Sequence, residues 1–193
     1  MTIELGCNRA FKEWDLACNA LRNGDQILLI RKGGIKEEGG VFTVDDREFV
    51  LMPTFDHQNA GMLREGLQPD LTASREAMPS AGTIRIDTFA TVDSIFSAEN
   101  EQQVSALLYE TIWNDSYVKL RFDYSPYDPL YLILLRAYRL PEAVTIPHVT
   151  AYGGCKSWVT LEQPISIANP VPALTDEQFE YRKNRLLAAL KCS

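Results

Sequence analysis

Leu130-Tyr131-Leu132-Ile133-Leu134-Leu135 is the longest purely apolar run in the chain, and it constrains the fold more than any other segment. A membrane-spanning helix needs roughly 20 such residues, so the run reads instead as the start of a buried central strand reaching Leu140, with Arg136 and Arg139 near its end. A shorter run, Ile27-Leu28-Leu29-Ile30, leads into Arg31, Lys32 and the pair Gly33-Gly34. The chain then turns back through Gly39-Gly40 into Val41-Phe42-Thr43-Val44. Asp46 to Met52 gives a further strand cut by Pro53, so residues 26–53 predict two or three antiparallel strands. Ile84, Ile86, Ala90 and Val92 alternate with Arg85, Asp87, Thr91 and Asp93, which is the period of a half-buried strand. Ser157 to Leu161 adds one more.

Helical signals lie between and after these runs. Asn8 caps a predicted helix to about Leu21, because Phe11, Trp14, Cys18 and Leu21 recur at spacings of three and four before Asn23-Gly24 stops it. Ser97 opens a second, with Val104, Leu107, Leu108 and Ile112 on one face, and Asn114 restarts a short third carrying Tyr117, Leu120 and Arg121. Thr175 and Gln178 form a capping box for a C-terminal helix over 175–191, with Phe179, Leu186, Leu187 and Leu190 facing inward. Residues 66–82 hold two prolines and few large apolar groups, and read as a long mobile loop. Strands and helices grouped without regular alternation predict an α+β single domain over 1–193. Its sheet is mostly antiparallel and curved or barrel-like, with flanking helices and the C-terminal helix packed across it.

Composition narrows the functional classes. With 46% hydrophobic and 23% charged residues the chain can bury a core, which excludes a disordered class. A net charge of −7 argues against a general nucleic-acid coat, although it leaves room for a local basic pocket. Cys7, Cys18, Cys155 and Cys192 are scattered, and no charged leader precedes an apolar segment. Both features point to reduced thiols in a cytoplasmic protein with no membrane partner.

No phosphate-binding glycine loop, nucleophile elbow or His-Glu-x-x-His pair occurs in the sequence. With His57 and His148 as its only histidines, the chain is expected to hold no metal, and no motif implies a cofactor. Pro69-Asp70 followed by Glu76-Ala77-Met78 imitates half of a metal-dependent nuclease pattern, but Met78 stands where the lysine belongs.

Two glycine turns with adjacent cations carry the binding expectation. The first comprises Arg31, Lys32, Gly33 and Gly34; the second is Tyr152-Gly153-Gly154-Cys155-Lys156-Ser157-Trp158. Arg31, Lys32 and Lys156 are expected to meet phosphate, and Tyr152 or Trp158 to stack on a flat ligand. Between them, Thr54 or Asp56 is expected to cap a helix whose first turn holds His57 and Gln58, near backbone N–H groups that attract anions. The leading expectation is a binding module for a nucleotide, modified base or short nucleic-acid segment. A protein-interaction or accessory factor with a protein partner is the second reading. The third is a hydrolase or nuclease using His57, the one catalytic candidate, with Asp56 or Glu48.

The segments Leu29 to Ile35, Phe49 to Gln58, Pro129 to Pro141 and Tyr152 to Val159 together resemble a prokaryotic, mainly cyanobacterial family known as domain of unknown function 1802, over roughly residues 10–165. That resemblance implies no activity. The order of elements is also similar to PUA-like barrels of the ASCH and EVE kind. This likeness implies a small barrel holding a nucleic-acid base or small ligand between glycine-rich turns and a helix.

Overall fold

The computed structural model describes residues 6–32, 47–80, 82–124, 128–154 and 156–192. Gly33, Gly34, Cys155 and the segment Gly39 to Val44 lie outside the described residues. The chain begins with β1 (Gly6–Trp14), which runs directly into α1 (Asp15–Asn23). The expected helix from Asn8 is therefore corrected: Phe11 belongs to a strand and Trp14 is the helix N-cap. The three-and-four spacing straddled a strand–helix junction. Pairing on both edges of β1, with β3 and β6, satisfies its backbone as a helix would. Gly24 ends α1 in the left-handed region at φ 79°, and its N–H reaches the carbonyls of Ala20 and Leu21.

Next come β2 (Leu28–Lys32) and β3 (Glu48–Thr54), then α2 (Gln68–Glu76). Helix α2 occupies part of the stretch expected as a loop; Leu71 and Ser74 are its buried residues. The sheet continues with β4 (Thr83–Ala98), followed by α3 (Glu101–Ser105), α4 (Asp115–Asp123), β5 (Leu130–Pro147), β6 (Trp158–Ser166), the short β7 (Val171–Pro172) and α5 (Asp176–Cys192). The side chain of Asn114 caps α4, accepting from the Tyr117 N–H. Thr175 and Gln178 cap α5 reciprocally, as the sequence predicts.

Among the described residues the sheet has the order β2-β5-β4-β3-β1-β6, with β7 beside β5. Of the pairs among the described residues, β1 and β3 run parallel and the others antiparallel. Strands β2 and β3 do not pair with each other, because β5 and β4 stand between them. The β4–β5 ribbon slips register at Ile86/Thr88 and Val92/Ser94, and such bulges bend a strand pair. The sheet is open, with β2 and β6 at its edges, so the barrel alternative is not realised.

It is nevertheless strongly curved. Strands β2 and β1 stand first and fifth in the order, about 19 Å apart in a flat sheet. Yet Arg31 of β2 donates to the Lys12 carbonyl and Glu13 carboxylate of β1, both at 2.7 Å. An arginine side chain spans that gap only if the sheet curls. One buried cluster joins Leu28, Ile30, Leu132 and Leu134 to Trp113 of the segment before α4 and to Tyr117, Phe179 and Leu186 of the helices. Val50, Met52, Ile86, Val159 and Ile165 of the strands build another with Tyr152 of the turn before β6.

Candidate functional site

The curl gathers the ends of three strands. Parallel pairing sets Trp14 opposite Thr54, so β1 and β3 finish side by side. Arg31 and Lys32 close β2 against them, and the turn before β6 brings in Gly154 and Lys156. These residues line one cavity of about 470 Å³ together with Glu13, Asp56, His57 and, from the end of α4, Arg121.

The cavity is cationic on an acidic body. Lys12, Arg31, Lys32, Arg121 and Lys156 face Glu13, Asp56 and Asp128, whereas the whole chain carries −7. The cations differ in their commitments. Lys12 Nζ donates to the carbonyls of Tyr152 at 2.9 Å and Gly154 at 2.8 Å, pinning the second glycine turn to β1. Arg31 is matched by buried Glu13, whose other oxygen accepts the Trp14 N–H. Lys32 Nζ donates to the Phe122 carbonyl at 2.9 Å. The Arg121 guanidinium lies 4.7 Å over Tyr117, which stacks on Trp113. The Nε atoms of Arg31 and Arg121 are buried without a hydrogen-bond partner among the described residues. Lys156 is exposed and stands on the cavity wall.

Of the residues singled out in the sequence, Arg31, Lys32, Thr54, His57, Gly154 and Lys156 thus come together. Tyr152 and Gly153 line an adjoining cavity of about 280 Å³. Gln58 is buried beneath, its amide donating to the Thr54 carbonyl at 3.3 Å. Trp158 packs against Phe11 and Phe49, at 4.8 and 5.0 Å between rings, with Arg9 over it; it does not line the cavity. The Tyr152 hydroxyl accepts the Glu162 N–H, and its ring is buried.

The helix expected to begin at His57 is corrected. The Thr54 hydroxyl accepts the Asp56 N–H in a tight turn, and His57 takes φ 57°. The next helical turn is Ala60–Met62, capped by Asn59. His57 is exposed, and Glu48 lies at the far end of β3, about 20 Å away along an extended strand. Those two residues cannot share a proton.

Sequence reasoning missed Lys12, Glu13 and Arg121. The first two fall in the stretch whose spacing predicts a helix, although a charged pair between Phe11 and Trp14 also fits a strand emerging at a sheet end. Arg121 carried no local signal, because its place depends on α4 docking beside β2.

A further cavity of about 740 Å³ lies between α1, α2 and β4. Its charged lining is Asp15, Asp25, Asp70 and Asp87 against Arg64 and Arg85, the opposite sign to the strand-end cavity. Pro53 and Phe55 line this cavity and Thr54 and Asp56 the cationic one, and all four also line the cavity of about 280 Å³. Cys18 also lines the acidic cavity, and burial pushes its thiol well above the ordinary range. Burial likewise raises Cys7. Both behave as packing groups.

No curated protein matches the chain. Two crystal structures of ZmASCH mutant proteins from Zymomonas mobilis are similar to it. One is 11% identical, with a TM-score of 0.43, covering 91% of this chain and 96% of that one. The other is 9% identical, also with a TM-score of 0.43, covering 93% and 98%. Residues 10–185 match the family described as domain of unknown function (DUF1802), and the chain belongs to that family.

Proposed function

We propose that this protein binds a phosphate-bearing ligand, a nucleotide or short nucleic-acid segment, in the cationic cavity at the strand ends. The observation that carries the reading is the concentration of five cationic side chains on one concave surface of a chain with a net charge of −7. Lysine and arginine clustered in a concave site concentrate field lines and attract anions even when the rest of the surface repels them. Lys156 contacts phosphate directly, and Arg31, Lys32 and Arg121 supply field from the walls. Gly154 leaves backbone room beside the ligand. Tyr124, 63% exposed on the rim, offers the free ring that Trp158 does not. Thr54 and His57 meet polar edges of the ligand.

The test is a salt titration with a fluorescein-labelled single-stranded RNA read by anisotropy, between about 20 and 200 mM salt. Binding that weakens steadily with salt supports the reading, and Lys156→Ala should lower affinity and reduce the log–log slope by about 1. Absence of binding at the lowest salt by both this strand and a nucleoside monophosphate overturns it and leaves the protein-interaction reading standing.

A further inference from the structure

We infer that the cationic cavity and its neighbour of about 280 Å³ are two halves of one site for a single unstacked nucleotide, its phosphate over the first and its base in the second. This inference rests on the phosphate-binding reading above and adds to it the shape and strandedness of the ligand.

The two cavities share one partition. Lys12, Thr54, Asp56 and Gly154 line both. Hydrogen bonds tie the partition together: Lys12 spans from β1 to the Tyr152 and Gly154 carbonyls, and the Thr54 hydroxyl accepts the Asp56 N–H.

Their linings differ in kind. Beyond the partition the second cavity is walled mainly by apolar groups, Met52, Phe55, Met78, Pro79 and Ile84 among them, with Ser80 and Thr83 as uncharged polar ones. Arg85, its other cation, is already paired with Asp87. A mainly apolar recess with a cationic neighbour suits a body with flat apolar faces joined to an anion. His148 and Asp56 also line this recess and offer polar groups to the edge of a base. At about 470 and 280 Å³ the two spaces together match the roughly 300–1,000 Å³ of small-ligand sites. A base stacked within a duplex cannot enter such a recess. The ligand is therefore a free nucleotide or a strand that presents one base out of its stack.

The experiment compares a single-stranded tetranucleotide with the same tetranucleotide carrying abasic sites, and a nucleoside monophosphate with ribose 5-phosphate. Each is measured at one low salt concentration against the wild type, Met78→Glu and Lys156→Ala. Met78 is 56% exposed, so its substitution should leave the fold intact, which circular dichroism checks. The base-bearing ligand should bind about tenfold or more tighter than the abasic one, as stacked bases do elsewhere. Met78→Glu should abolish that difference while leaving abasic binding within about twofold, and Lys156→Ala should weaken both ligands. A difference seen only in the tetranucleotide pair assigns the site to a strand; one seen in the monophosphate pair assigns it to a free nucleotide. Equal binding of base-bearing and abasic ligands, or a difference that Met78→Glu leaves untouched, overturns the two-part site while the phosphate site stands. Failure of every ligand to bind overturns both.

Discussion

Arg31 Nη2 lies 2.7 Å from Glu13 Oε2, a contact between the first and fifth strands of the sheet order. Glu13 is 3% exposed and the Arg31 side chain 13%, so neither charge can recover its lost hydration from bulk water. The guanidinium also lies 4.5 Å over the Phe11 ring. Removing one partner strands the other as a buried charge, which costs about 3–5 kcal/mol. Urea unfolding of Arg31→Met should show a loss of that order. In Arg31→Met with Glu13→Leu the loss should be clearly smaller than the sum of the two single losses. Additive losses would mean that the pair does not hold the curl.

Two aspartates should pull acid stability in opposite directions. Burial raises Asp15 above its ordinary value, assisted by Asp87 and opposed by hydrogen bonds from Ser74 and Asn19. Its folded value thus exceeds its unfolded one, so its charge costs stability at neutral pH and that cost vanishes as pH falls below about 4. Asp15→Asn should therefore be neutral or stabilising at pH 7, with the gain shrinking on acidification. Asp93 is also partly desolvated, but the Lys183 ammonium at 2.7 Å and the Ser94 hydroxyl hold it below its ordinary value. Its contribution is present above about pH 4 and lost as pH falls further. Asp93→Asn should cost roughly 0.5–1 kcal/mol at pH 7, and thermal melts at pH 7 and pH 3 should show the cost fading.

The difference between what the sequence disclosed and what it hid follows from how local each cause is. The α5 cap needs only Thr175 and Gln178, the existence of β4 only its alternation (the slip at Ile86/Thr88 puts Ile84 and Ile86 in one buried cluster and Ala90 and Val92 in another), and the β5 run only its apolar density. All three were legible. Strand β1 was not, because Phe11, Trp14, Cys18 and Leu21 keep helical spacing across a junction that only pairing with β3 and β6 reveals. The cavity divides in the same way. Arg31, Lys32 and Lys156 advertised themselves beside glycines. Lys12 enters through strand pairing and Arg121 through helix docking, both set by residues far away in sequence. Trp158 advertised a free ring too, but Phe11 and Phe49 occupy it.

Gly24 and Gly66 separate backbone strain from steric conflict. Both take positive φ, 79° and 90°, where a side chain costs about 1–2 kcal/mol. A Cβ at Gly24 would stand 2.7 Å from Leu174 Cδ2 and 3.2 Å from the Ala173 carbonyl, whereas nothing lies within 4 Å of one at Gly66. Gly66→Ala should cost about 1 kcal/mol and Gly24→Ala more than about 2 kcal/mol, since the segment leading into α5 must also shift. Chemical denaturation of the two variants side by side gives the comparison; equal losses would show that Leu174 yields freely.

Lys12 should couple stability to binding in a way Lys156 does not. Its ammonium bridges two carbonyls of the second glycine turn, so Lys12→Met keeps the stem but removes both donors. Hydrogen bonds from a charged donor contribute about 1.5–3 kcal/mol, and a loss near the lower end is expected for this half-buried group. Once the bridge is gone, the amides of Gly153, Gly154 and Lys156 should exchange faster, because local opening of the turn no longer breaks it. Affinity for a labelled RNA strand should fall with it. Lys12→Arg would restore the charge but not the compact ammonium that reaches both oxygens, so exchange should stay fast while affinity partly recovers. Lys156→Met, by contrast, should lose affinity with melting and exchange unchanged. If Lys12→Met exchanges like the wild type, the turn is held by something other than this bridge.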